Sequence, residues 1–176
     1  MADESVSALT YAVWATAWGP TAAVVDGEDL CRFVLPHYRM DELEDLLRWE
    51  HPGCRRQDAA FEPLIELVRQ YFNGQPVSFD TLSCHLPSET TFAGQVLRAC
   101  RQIPFGETLS YRQLALRIGR EDAARAVAAA LGKNPIPLVV PCHRVTYADG
   151  RAGGFSAAGG VELKQRMLAM EAGASS

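Results

Sequence analysis

The chain has 176 residues, 48% of them hydrophobic and 22% charged, which is long enough for a real core in one domain or two small ones and ordinary for a soluble globular protein. No apolar run approaches the ~18 residues of a membrane span, and the opening MADESVSALT lacks a basic start followed by an apolar stretch, so nothing indicates membrane insertion or export and an intracellular protein is expected. Five cysteines, at 31, 54, 84, 100 and 142, are odd in number and irregular in spacing, a poor disulfide framework that suits a reducing compartment.

The net charge of −4 argues against nucleic acid until the chain is divided. Residues 1–91 carry 6 Lys and Arg against 15 Asp and Glu, a balance of −9, whereas residues 92–176 carry 11 against 6, a balance of +5. Such asymmetry points to polyanion binding by the basic half, although an unevenly charged surface has the same signature.

The first half reads as an α/β unit. LTYAVWATAW and AAVVDGEDLCRFVL are rich in β-branched and aromatic residues and punctuated by Gly-Pro and Asp-Gly, which predicts a hairpin or short meander. DAAFEPLIELVRQYFNG then sets Phe61, Leu64, Ile65, Val68, Tyr71 and Phe72 on one helical face and closes on Asn73-Gly74, a helix-stop signal. His51, Cys54, Cys84 and His85 are zinc-type ligands, but their spacing is not that of a usual finger, so structural zinc is not favoured and no metal is assigned. No catalytic constellation is visible here, and the expected role is scaffolding. LPSET, around residue 88, reads as a linker, dividing the chain into 1–88 and 89–176.

Beyond the linker Phe92, Val96, Cys100 and Ile103 recur at helical spacing until IPFGE breaks the pattern. Ser110 and Gln113 form an S-x-x-Q capping box that opens a second helix, stopped at Gly119. A third helix runs through AARAVAAALGK to Asn134-Pro135, and two short helices about a tight turn make a helix-turn-helix. The third helix is almost without bulk, with Ala123, Ala124, Ala126, Ala128, Ala129 and Ala130 around one long side chain, Arg125. It lacks the Arg, Asn and Gln forks of a major-groove reader. A slim helix with one arginine suits a widened minor groove, and the residues alone leave open whether Arg125 enters DNA or is simply solvated.

LVVPCHRV is the oddest stretch. Leu138, Val139 and Val140 have the length of a buried strand, followed at once by a proline and a cysteine. Free cysteine is usually a buried small hydrophobe, but His143 and Arg144 are the groups that make a thiol nucleophilic, so Cys142 reads as a placed thiol.

IPFGETLSYRQLALRIG, AARAV, KNP, PCHRV, GGFSAAGG and LKQRMLAMEAG occur in this order, and over about residues 91–173 the chain resembles the catalytic domain of the methylated-DNA–protein-cysteine methyltransferases, the O(6)-alkylguanine-DNA alkyltransferase family. The resemblance implies a ribonuclease-H-like α/β N-terminal domain and a mainly α C-terminal domain with a helix-turn-helix. Cys142 would be the alkyl acceptor, His143 its base through a water, and Glu171 the carboxylate that polarises the imidazole. Asn134 corresponds to the hinge asparagine joining the recognition helix to the active-site strand. Arg125 matches the finger that fills the space left by a flipped nucleotide, with Ala123, Ala124 and Ala126 against the DNA, and Tyr111 the tyrosine that turns the phosphate and donates to the base. Pro137, Val145, Phe155 and Ser156 would line the guanine pocket. Phe155 stands where many relatives have tyrosine and cannot donate a hydroxyl hydrogen bond, and the FSAAGG loop is longer than in compact members.

The implied partner is double-stranded DNA carrying alkylated guanine, approached from the minor-groove side. The protein would be a monomer without cofactor, cytoplasmic and nucleoid-associated in a prokaryote or nuclear in a eukaryote. The alternatives are a damage-binding relative without transfer, which lacks the acceptor cysteine, and a cysteine-histidine hydrolase, for which no triad pattern is present.

Overall fold

The computed structural model describes residues 9–174; residues 1–8, the start of the segment read for an export signal, lie outside the described part. The chain begins as the expected meander: β1 (Leu9–Thr16), β2 (Gly19–Asp26) and β3 (Asp29–Val34) pair antiparallel in sequence. A two-residue strand, β4 (Arg55–Arg56), adds parallel to β1, giving the order β3-β2-β1-β4. Alternation along β1 divides the two faces, as the period of a strand requires. Tyr11 and Val13 face one cluster, whereas Ala12 and Trp14 face the other.

Each face is covered by one helix. On the first lies α1 (Met40–Glu50), whose Leu43 and Leu47 are buried against Tyr11, Val13, Ala22 and Val24. No helix is assigned here from the sequence, although Leu43, Leu46 and Leu47 recur at helical spacing among the acids, and Leu46 packs against the same cluster. On the second lies α2 (Glu62–Phe72), burying Leu64, Ile65, Val68, Tyr71 and Phe72. The helical pattern expected from residue 58 begins as a single 3-10 turn, Asp58–Phe61, and becomes α-helical only at Glu62, with Pro63 in the first turn where its missing N–H costs nothing.

After an irregular stretch follow α3 (Phe92–Arg101), β5 (Leu109–Ser110), α4 (Tyr111–Arg117), α5 (Ala124–Leu131), β6 (Val145–Thr146) and α6 (Gly160–Ala174). Thr91 caps α3 by accepting from Gly94 N at 3.1 Å. β5 and β6 form a two-stranded parallel ladder. One continuous apolar cluster runs from Trp14, Phe33, Val68 and Tyr71 to Val96, Cys100, Leu114, Val127, Ile136 and Met167, so core packing crosses residue 88 without a break. Polar contacts cross it too: the Arg101 guanidinium donates to Phe79 O at 3.0 Å and Leu82 O at 2.6 Å, and that of Arg166 stacks 3.8 Å above the Trp18 ring.

Leu138–Val140 is not a strand. Val140 N bonds back to Ile136 O at 3.0 Å, and Leu138 takes a φ of +77°, so the apolar triplet forms a tight buried turn. A strand would need a ladder partner here, whereas the proline pair Pro137 and Pro141 leaves too few donors to build one.

The capping box that opens α4 forms as expected. Gln113 N donates to Ser110 Oγ at 3.1 Å while Ser110 N donates to Gln113 Oε1 at 2.7 Å. Ser110→Ala is expected to cost about 1 kcal/mol, lowering Tm by about 3 °C in a chain of this size; a thermal melt beside the wild type checks this.

Candidate active site

Cys142, His143 and Arg144 occupy a single buried 3-10 turn that follows the Leu138 turn directly. The backbone at Cys142 and His143 is thus helical and does not extend a strand. On a tight helical turn the two side chains diverge by rotation about the axis rather than by pleat alternation.

Asn134, just past α5, holds the turn from both ends. Its Nδ2 donates to Val140 O at 2.8 Å and to the Cys142 sulfur at 3.2 Å, while its Oδ1 accepts from Ile136 N at 3.1 Å. The left-handed φ of Leu138 costs of order 1–3 kcal/mol, and these bonds help to hold it. Strain concentrated beside a thiol is a mark of a built site rather than of filler.

His143 is fully buried, and its Nε2 lies 2.7 Å from Glu171 Oε1. Glu171, on α6 and itself buried, also receives Arg144 Nε at 2.9 Å and Gly106 N at 3.1 Å on Oε2, with the Tyr71 hydroxyl at 2.7 Å on Oε1. With Nε2–H committed to the carboxylate, the neutral ring keeps its lone pair on Nδ1, and Nδ1 has no protein partner among the described residues. Arg144 therefore does not face the thiol, as its place in the sequence suggested. Its guanidinium serves Glu171 and the Ile103 carbonyl, the latter at 2.6 Å.

Burial pushes the Cys142 thiol above its ordinary value, opposed by the Asn134 hydrogen bond and the Lys164 charge. Burial likewise holds His143 below its ordinary value, against the pull of Glu171. For Glu171 burial pushes upward, but the bonds and charges of His143 and Arg144 outweigh it and bring the carboxyl down to about 2. Lys164, buried on α6 with Nζ 2.6 Å from Val145 O, is brought down by burial to about 8, with the Cys142 and Cys100 thiols opposing. The resting state is thus a protonated thiol beside a neutral imidazole, with an ammonium near enough to favour the thiolate once it forms.

Two cavities meet at Cys142. One, about 340 Å³, is lined by Asn134, Pro137, Cys142, Phe155 and Ser156 together with Arg32 and Tyr38 of the first half. The other, about 430 Å³, is lined by Tyr111, Leu131, Cys142, Tyr147, Phe155 and Ser156. Both fall in the range of small-molecule sites. Gly153 lets the loop close over Tyr111, since a Cβ there would stand 2.6 Å from the hydroxyl. A larger cavity of about 860 Å³ lies against β1 and β4 and contains neither Cys142 nor His143.

The site thus brings together Cys142, His143, Glu171, Asn134, Tyr111, Pro137, Phe155 and Ser156. Val145 is the exception: it is buried in β6 and lines neither cavity, its carbonyl accepting from Lys164. Arg125 is exposed on α5 with Ala126, and with Arg112, Ala124, Tyr111 and Tyr147 it borders a shallow hollow beside the second cavity. Ala123, half-buried, precedes the first turn of that helix. Sequence reasoning missed Tyr71, Lys164 and Tyr147. The first read as one of six core positions on a helix face, and the second stood unremarked within LKQRMLAMEAG. Among the described residues no three His, Cys, Asp or Glu side chains converge as metal ligands. Cys54 and Cys84 instead point their thiols at the Leu47 and Leu82 carbonyls.

Residues 91–173 match the family model for the DNA-binding domain of 6-O-methylguanine DNA methyltransferase. The methylated-DNA–protein-cysteine methyltransferase of Salmonella typhimurium is 39% identical over 160 residues, covering 89% of this chain and 92% of the relative. That of Mycolicibacterium paratuberculosis is 44% identical over 119 residues, 68% of this chain and 70% of the relative. Among solved structures the Mycobacterium tuberculosis O6-methylguanine methyltransferase superimposes with a TM-score of 0.77 at 33% identity, covering 94% of this chain and 93% of that one. The same organism's protein solved in complex with DNA gives 0.78 at 31% identity, covering 94% of each. The mixed α/β fold is that of these proteins.

Two buried groups make stability depend on pH on the acid side of neutrality. The contribution of His143 is expected to be full above about pH 6.5 and to fall below it, because the unfolded chain protonates His143 before the folded one does. Stability falls again from the ordinary carboxylate range towards about 2 as the folded Glu171 takes a proton. Denaturant melts across a pH series check this, and Glu171→Gln should lose the second decline; the same low-pH dependence in both proteins would contradict the assignment.

Proposed function

This chain belongs to the methylated-DNA–protein-cysteine methyltransferase family, and from that premise we propose that it flips O(6)-alkylguanine out of duplex DNA and moves the alkyl group irreversibly onto its own Cys142. The observation that carries this reading is the buried bond between Glu171 and His143 Nε2 at 2.7 Å, which reserves Nδ1 as a base next to a thiol on a cavity wall.

The alkyl carbon is hidden in the duplex, so the nucleotide must leave the stack before a thiol can reach it. Extrusion costs a few kcal/mol of stacking and pairing, less at a mispaired damaged base, and phosphate contacts of the basic half offset it. α5 suits the minor groove because alanines bring its backbone close, while Arg125 fills the gap left by the nucleotide. We read α4 and α5 as the helix-turn-helix that presents this surface. Tyr111, at the start of α4, borders both the DNA face and the second cavity, as a residue that turns the phosphate and donates to the base would have to.

In the pocket, His143 Nδ1 takes the thiol proton through a bridging water. The Cys142 sulfur attacks the alkyl carbon in line, an S–C bond forms and the C–O bond breaks, and the guanine oxygen keeps the electron pair. The proton that left sulfur is returned to the base by way of His143 and Tyr111, so a thiol and an alkylated guanine become a thioether and guanine. Asn134 and Lys164 favour the transient thiolate. A thioether offers these residues no leaving group, so each molecule acts once, and no cofactor enters the scheme. O(4)-alkylthymine presents the same C–O bond and is a second candidate substrate. Residues 1–88 are read as the ribonuclease-H-like scaffold and 89–176 as the DNA-binding and transfer domain.

Incubation with a duplex containing O(6)-methylguanine should add one methyl group to the intact mass and stop there, and Cys142→Ser should abolish the addition. Tight binding without a mass change would instead favour a damage-binding protein. Arg125→Ala should slow transfer from duplex DNA by at least ten-fold while leaving reaction with the free alkylated base nearly unchanged; equal losses on both substrates would remove the finger role.

A further inference from the structure

Besides lining a cavity wall, the first half of the chain reaches the Glu171–His143 pair through the Tyr71 hydroxyl. Tyr71 is the penultimate residue of α2 and is fully buried. Its ring stands edge-on to Phe72, Phe105 and His143, with centroids 5.1, 5.9 and 6.3 Å away. The hydroxyl lies 2.7 Å from Glu171 Oε1 and 3.2 Å from His143 Nε2. A phenol has one proton to give, and an ionised carboxylate is a stronger acceptor than an imidazole nitrogen that already carries hydrogen. The O–H therefore goes to Glu171, and the hydroxyl oxygen turns a lone pair towards Nε2–H. Carboxylate, phenol and imidazole close into a triangle.

We propose that Tyr71 is a positioning residue of the thiol-activating relay, its hydroxyl fixing the Glu171 carboxylate and the His143 ring so that Nδ1 is held as the base for Cys142. The inference rests on the methyltransferase reading above, and it gives the N-terminal half a part in the chemistry.

The triangle does two things that packing alone does not. It defines Nε2 as the protonated nitrogen, because the other tautomer would set a lone pair on Nε2 against both the carboxylate and the phenolic oxygen. It also places two negative ends around Nε2–H, so the imidazolium formed when Nδ1 takes the thiol proton is stabilised on its far side. Burial and the Glu171 charge push the Tyr71 phenol well above its ordinary value, so it stays a neutral donor throughout the working range. The other groups around the pair are Arg144 on its own turn, Glu171 and Lys164 from α6, Cys100 from α3 and Tyr111 from α4. Removing the Tyr71 hydroxyl alters the composition of none of them.

Tyr71→Phe keeps the ring and removes the oxygen. Three quantities are read as functions of pH: single-turnover transfer from a methylated duplex, alkylation of Cys142 by iodoacetamide followed at its own peptide, and Kd for the duplex. Kd should stay within two-fold. Transfer near neutral pH should fall about ten-fold, with both rate profiles displaced about one unit to higher pH, since each unit is a factor of ten in thiolate. In a His143→Ala background Tyr71→Phe should have no further effect, because both act through one route. Rate profiles that superimpose on the wild type, or an unchanged loss in the absence of the imidazole, would reduce Tyr71 to packing. Phe79→Leu loosens the same ring, 6.4 Å away, without touching the hydroxyl; it should lower Tm with no pH displacement, and a displacement equal to that of Tyr71→Phe would overturn the inference. If the wild type itself takes no methyl group, the transfer reading fails, while the iodoacetamide profiles still decide the role of Tyr71.

Discussion

The carboxylate of Glu171 is the point on which the rest of the site depends. It is a buried charge near the end of α6, and it is met by groups from three other places in the chain: the 3-10 turn through His143 and Arg144, α2 through Tyr71, and the loop after α3 through Gly106 N. A carboxylate removed from water is tolerable only if such partners surround it. The need is mutual, since Arg144 is buried as well. Desolvation therefore forces these elements to a common point, and the imidazole takes its orientation from that convergence.

The same burial explains why the thiol needs a base. Buried among apolar residues, Cys142 is pushed above its ordinary value despite Asn134 and Lys164. A permanently ionised thiolate would react with any small electrophile that reached it. For a protein proposed to act once, that loss would be final. In the proposed mechanism a protonated thiol with a neutral imidazole beside it keeps the nucleophile latent until a substrate carbon is in place. The strained turn at Leu138, braced by Asn134, presents the sulfur without placing it on mobile chain.

How much of this was legible in the sequence follows from how local each feature is. The meander, the Ser110 capping box and the helices of the second half rest on neighbours within a few positions, and they formed where the pattern put them. Cys142 and His143 declared themselves because proline, thiol and imidazole adjoin. Leu138–Val140 misled because an apolar triplet has the same composition in a strand and in a buried turn; only the long-range brace from Asn134 distinguishes them. α1 went unassigned although Leu43, Leu46 and Leu47 recur at helical spacing, because acids separate them and dilute the apolar pattern. Tyr71 and Lys164 were invisible for a deeper reason: one stood among apolar helix positions and the other among charges, and their meaning lies in contacts across 100 and 19 residues.

The charge division gains a physical sense from the geometry. The half carrying −9 is not repelled from the site, since it supplies Tyr71 to the relay and Arg32 and Tyr38 to a cavity wall. Some of its acids pair with bases of the same half, as Glu50 does with Arg32 and Asp58 with Arg56. The exposed arginines of the other half, Arg112 and Arg125 among them, are left to meet a polyanion. Because α5 offers alanines and one arginine, such a surface discriminates poorly among base sequences. In the proposed mechanism, selectivity for damage then has to arise after a nucleotide has left the stack, in the pocket that Cys142 and Phe155 line, where Phe155 has no hydroxyl to donate.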